Sequence, residues 1–232
     1  MTSKARPNVI AAPAAIVSLA AIGVIGNLAP FIMPVIVGGV VDHLGVSLAA
    51  AGYVAFADMS GLGIGAILWS RLIAAANWRV FAAVAVALVV AGNIACTLTT
   101  SLYPLMGARV VVGLGSGLLL AIGNSGLTMT RDPDRTIGIV TVIAMLSASV
   151  ALYSFPLLVA SYGVDSMFYG MAALTAIAGL GVFGMPARSP SRGRAAAGPA
   201  APAAGTTPLG MVALLGVFLF FAGAIIFWVY VE

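Results

Sequence analysis

Apolar residues in this chain do not alternate with polar ones; they run on uninterrupted. Seven stretches are long and nearly free of charge, near Ala12–Val41, Ser47–Leu68, Trp78–Thr99, Leu102–Met129, Thr136–Ser161, Ser166–Pro186 and Leu209–Val231. A helix rising about 1.5 Å per residue needs about 20 apolar residues to cross a hydrocarbon core of about 30 Å. Each stretch therefore predicts a transmembrane helix. The first is longer than a span requires and holds Pro30 and Pro34. It predicts a tilted or kinked helix, since neighbouring helices can satisfy the carbonyls that proline leaves free. Lys4 and Arg6 ahead of it have the look of a signal peptide. The apolar run far exceeds the roughly 7–15 residues of a signal core, so an uncleaved first span is expected.

Apart from Arg109, which lies within a span, basic residues fall only in alternate connections. One set holds Lys4 and Arg6, then Arg71 and Arg79, then Arg131 and Arg135, then Arg188, Arg192 and Arg194. The other set, around Asp42-His43, Thr99–Ser101 and Ser161–Asp165, holds no Lys or Arg. Positive connections stay inside, so a cytoplasmic N-terminus is expected. Between the sixth and seventh stretches, Ala187–Pro208 is rich in Ala, Pro, Gly, Ser and Arg, a composition that buries nothing and predicts a cytoplasmic linker. Its basic start suits topology, or contact with anionic headgroups. The chain thus divides into a six-helix bundle over 1–186, a linker over 187–208, and a seventh helix over 209–232 that reads as the start of a missing C-terminal half.

Composition closes off other classes. Of 232 residues, 62% are hydrophobic and 7% charged, and the mean hydropathy is +1.17. Soluble domains carry about 25% charged residues, so an all-α integral membrane protein is expected. The net charge of +4 forms no basic stripe, so no nucleic-acid partner is expected. The single cysteine, Cys96, excludes an internal disulfide and a thiolate metal cluster. No cofactor and no metal site are expected. The only lysine, Lys4, lies outside every span, which removes a retinal Schiff base. Gly123-Asn-Ser125-Gly126 has the form of an intramembrane serine protease motif, but His43, the only histidine, lies at the other end of the spans. Gly179-x-Gly181-x-x-Gly184 lacks the preceding strand of a dinucleotide site. No enzyme is expected.

Two charges remain inside the apolar runs. Asp58 lies about 16 Å and Arg109 about 10 Å from the outer ends of spans two and four. Each alone costs about 2.5–3.5 kcal/mol at the membrane centre, so each must face a partner, water or a polar pathway. Either they form a fixed ion pair that staples the two spans, or Asp58 takes up a proton while Arg109 tunes it or holds an anion. Asn27, Asn93 and Asn124 also lie in spans, with Thr128, Thr130 and Tyr153 towards helix ends. Interhelical bonding explains most buried Asn. Asn27, beside Pro30 and Pro34, is different, because an interrupted helix exposes backbone groups to a central cavity. These three residues and Asn124 are the substrate-cavity candidates. Gly61-x-x-x-Gly65 and Gly113-x-x-x-Gly117 predict faces where helices approach closely.

With these residues in place, the chain resembles the N-terminal half of a major facilitator superfamily transporter. The likeness rests on Pro30 and Pro34 in span one and on the short outer loop Val41-Asp42-His43-Leu44-Gly45-Val46-Ser47. It rests also on Arg109-Val-Val-Val-Gly113-Leu-Gly115-Ser-Gly117, similar to the family's R-x-x-x-G-x-G-x-[AG], and on the loop Arg131-Asp-Pro-Asp-Arg135. The family's inner loop G-x-x-x-D-R-x-G-R-[RK] is altered here to Gly65-Ala-Ile-Leu-Trp69-Ser70-Arg71 and then Asn77-Trp78-Arg79, without the aspartate. The G-x-x-x-G-P motif of drug antiporters is absent from span five.

The resemblance implies a six-helix major-facilitator-type bundle plus one further helix. It implies a secondary active transporter that opens alternately to each side and moves a small solute, with protons as coupling partner. Arg109 matches the arginine linked to coupling in that family, and Arg71, Arg79, Arg131 and Arg135 stand as cytoplasmic-gate candidates. Such a protein works in the lipid bilayer and needs a C-terminal half or a partner subunit. The alternative is a non-transporting assembly or sensor protein built on a transporter-like half; homodimerisation into a whole transporter is a third arrangement. The excess of Arg over Lys and the wealth of Ala and Gly suggest a bacterial inner membrane.

Overall fold

The structure, a computed structural model, describes residues 10–72 and 77–188, and beyond them only 211, 212, 215, 216 and 219. Residues 1–190 form one compact unit and 191–232 a second. The expected linker and seventh span fall mostly in the second unit and largely outside the described residues; Lys4, Arg6, Arg192 and Arg194 also lie outside the described residues. Among the described residues there is no strand, only a single bridge between Ile10 and Thr130.

The elements in chain order are α1 (Pro13–Gly26), α2 (Leu28–Phe31), α3 (Met33–Leu44), α4 (Leu48–Leu72), α5 (Trp78–Thr97), α6 (Leu102–Leu127), α7 (Pro133–Tyr162), α8 (Asp165–Gly179) and a 3₁₀ turn over Leu180–Phe183. Among the described residues five helices, α4 to α7 and α8 with its turn, are long and apolar enough to cross a membrane; α1 and α3 are shorter apolar helices. This is an all-α, multi-pass membrane protein. Exposed Tyr53, Tyr103, Tyr162 and Tyr169 sit close to one set of helix ends, where amphipathic rings settle at a membrane–water boundary. Arg71, Arg79, Arg131, Arg135 and Arg188 occupy the opposite, basic end.

Local chemistry explains the boundaries. The first span is not one bent helix: it stops at Asn27 and again at Ile32. Pro30 and Pro34 have no N–H to give the carbonyls four residues back, so the helical ladder fails twice. The Asn27 N–H closes the first piece on Gly23 and Val24. The α3 helix ends at Gly45, whose φ of +62° suits a residue without a side chain. Asn77 caps α5 by accepting from the Arg79 and Val80 amides. The α7 helix starts earlier than its apolar run, because Asp132 accepts from the Arg135 amide and Pro133 takes the first helical position. The last span tightens into the 3₁₀ turn instead of running on as α-helix to Pro186.

Packing centres on α6, which lies against α4, α5 and α1. In lipid, helices gain little from burying apolar surface against one another, so close contact and interhelical bonding must hold them. Two apolar clusters result. One gathers Ile32, Ile36, Val54, Cys96, Leu105 and Met167; the other gathers Leu19, Ile22, Trp69, Trp78, Leu119 and Ile122 near the basic end. The polar residues Asp58, Asn93 and Arg109 lie at the seam, each fully buried.

Candidate functional site

The site begins with glycine. Gly61 and Gly65 on α4 interlock with Gly113 and Gly117 on α6. A Cβ on Gly113 would run into the Asp58 carbonyl, and one on Gly117 into that of Leu62. A Cβ on Gly61 or Gly65 would strike the carbonyl of Val110 or Leu114. Only glycine lets these two backbones come so near. The crossing lays the backbone of Asp58 beside Gly113, and Arg109 lies one turn away on the same face of α6.

From there the side chains meet directly. Arg109 Nη2 donates to Asp58 Oδ2 at 2.5 Å, and Nη1 donates to Asn93 Oδ1 on α5 at 3.2 Å. Asn93 Nδ2 in turn donates to the Val89 carbonyl at 2.9 Å. The buried thiol of Cys96, one turn further along α5, lies within electrostatic reach of the guanidinium. Arg109 and Asp58 are both 0% exposed. Asp58 Oδ1 and Arg109 Nε find no hydrogen-bond partner. The pair is charge-neutral, ties three spans together and opens onto no surface. Closed in this way, Arg109 has its charge already matched and offers no free cation to an anionic solute.

No protein-family model matches this chain, and no curated protein matches it either.

The other candidates lie apart from the pair. Asn27 and Pro30 are half-buried at the break in the first span, and Pro34 is exposed. Asn124 is exposed towards the basic end of α6. Neither Asn27 nor Asn124 hydrogen-bonds to Asp58 or Arg109. Of the gate candidates, Arg71, Arg131 and Arg135 are exposed. Arg79 is also exposed, yet its Nε donates to the Met185 carbonyl at 2.6 Å. Ser125 is engaged: it donates to the Ala121 carbonyl at 2.6 Å and receives the Trp69 indole N–H at 3.3 Å. His43 is exposed in the last turn of α3, at the other end of the spans.

Two features were missed by sequence reasoning. Asn93 makes the interhelical bond its burial predicts, but that its partner is Arg109 does not follow from the sequence, though its depth gives a usable clue. The α5–α6 hairpin places Asn93, four residues from the end of α5, near the level of Arg109, seven residues into α6. The second is an aromatic cluster at the basic end. Trp69 meets Trp78 edge-on and Phe81 at a tilt, both with ring centres 5.8 Å apart. Trp69 thus fastens span two to span three with its rings and to span four through its indole N–H on Ser125. Among the described residues no group of His, Cys, Asp and Glu is placed to hold a metal ion.

Proposed function

We propose that this bundle is the N-terminal half of a major-facilitator-type secondary active transporter, moving a small solute across the cytoplasmic membrane of a bacterium by alternating access and coupling that movement to protons through Asp58. It is not an enzyme in this reading. The second wall of the solute pathway comes from another bundle, either in the same protein or in a partner subunit.

The observation that carries this reading is the interrupted first span. A helix broken at Asn27 and Ile32, part-way through an apolar bundle, is costly unless the freed backbone groups serve something, and transporters use such breaks to present carbonyls and amides to a solute. Asn27 and Pro30 are accessible there, at the end of an α1 segment about 21 Å long. Asp58 supplies the proton carrier in this scheme: among the described residues it is the one buried carboxylate.

The test uses the natural protein in liposomes with an entrapped pH-sensitive dye and a panel of small solutes. The expected result is solute-dependent proton movement that Asp58→Asn abolishes, with the protein still inserted. Solute flux that persists with its proton movement in that variant removes Asp58 from coupling. Absence of any solute-dependent flux from correctly inserted protein favours the second reading, a non-transporting assembly or sensor protein. The closed Asp58–Arg109 pair speaks for that alternative, since a sealed neutral pair serves equally well as a permanent staple.

A further inference from the structure

At the basic end, three elements finish beside one another: α1 starts at Pro13, α5 starts at Trp78, and the 3₁₀ turn closes at Phe183. Between them lies an open recess of about 500 Å³, lined by Ile10, Ala12, Ala15, Met185 and Pro186, with Arg79 its one charged residue among the described residues. The Trp78 amide holds the Ala187 carbonyl at 2.9 Å, and Arg79 Nε holds that of Met185 at 2.6 Å. One N–H of the guanidinium is thereby fixed to the wall. Its Nη groups stay on an exposed side chain, oriented in advance.

We propose that this recess binds the phosphate headgroup of an anionic phospholipid, with Arg79 as its anchor. Depth supports the assignment. The α5 helix runs 20 residues, about 30 Å, which matches the hydrocarbon thickness and sets Arg79 at its edge, where a long side chain reaches the lipid phosphates. Charge supports it too: among the described residues no carboxylate lines the recess, and the N-terminus of α1, without a side-chain cap, adds its partial positive charge at the same place. Ala11, Ala12 and Pro186 give the recess an accessible apolar rim, which suits the glycerol region next to the phosphate. Basic pockets between membrane helices are suited to such headgroups.

The test is native mass spectrometry of the delipidated full protein titrated with phosphatidylglycerol or phosphatidylcholine. The wild type is expected to retain phosphatidylglycerol preferentially, and Arg79→Gln to lower that retention about fivefold. Arg79→Lys keeps the charge without the Nε contact and should keep the preference. Arg71→Gln, at an exposed interfacial arginine outside the recess, should change nothing. Equal retention of the two lipids by the wild type overturns the proposal whatever the variants do. Equal losses in Arg71→Gln and Arg79→Gln reduce it to diffuse surface charge and overturn it as a site. Displacement of phosphatidylglycerol by millimolar inorganic phosphate assigns the recess to a free anion and overturns the lipid.

Discussion

Substitution of Arg109 by Met should be among the most damaging single changes in the bundle, and the structure gives its size. Arg109 and Asp58 have no exposure, and their contact at 2.5 Å is reinforced by the Asn93 bond at 3.2 Å. Removing the guanidinium leaves a carboxylate in hydrocarbon and frees the amide oxygen of Asn93. Breaking one side of such a buried pair costs about 3–5 kcal/mol. Asp58→Leu, which strands the guanidinium, should cost about the same. The double variant Asp58→Leu/Arg109→Met removes both charges together, and replacing a buried pair by apolar groups is neutral or stabilises by about 1–4 kcal/mol. The assay is equilibrium unfolding of all four proteins in bicelles, read as a double-mutant cycle. Single variants that each lose less than about 1 kcal/mol, or a double variant as unstable as the two losses added, would refute the reasoning. The same double variant separates structure from function. If Asp58 carries the proton, it folds well and moves no protons.

The glycine crossing makes a paired prediction. Gly117→Ala forces a Cβ onto the Leu62 backbone and should destabilise by about 1–3 kcal/mol. Gly52→Ala, where nothing lies within 4 Å of the added carbon, should be neutral or gain about 0.5–1 kcal/mol of helix stability; unfolding temperatures in detergent check both, and the reverse order would refute the packing. Trp69→Phe keeps a ring against Trp78 but loses the hydrogen bond to Ser125. It should cost about 0.5–1.5 kcal/mol in the same assay, and a loss matching Trp69→Ala would show that the ring carries nothing.

Much of the fold was readable because a membrane imposes a one-dimensional rule: enough apolar residues in a row must cross. The runs near Ser47–Leu68, Trp78–Thr99 and Leu102–Met129 became α4, α5 and α6 with ends shifted by a few residues, and Asn77 and Gly45 punctuate them by local chemistry alone. That Asp58 and Arg109 need partners was also determined by sequence, since an isolated charge in hydrocarbon is too costly to leave. Pro30 and Pro34 announced trouble in the first span, but proline chemistry does not say whether a helix bends or breaks. That depended on the neighbours available to take the freed carbonyls. Tertiary structure alone decided that Asp58 and Arg109 find each other, because the pairing depends on the distance between two backbones. Gly61, Gly65, Gly113 and Gly117 each had to face the right helix at the right height for that distance to close. Asn93 joined the pair for the same reason, and the role of Trp69 could be understood only once Trp78, Phe81 and Ser125 were seen around it.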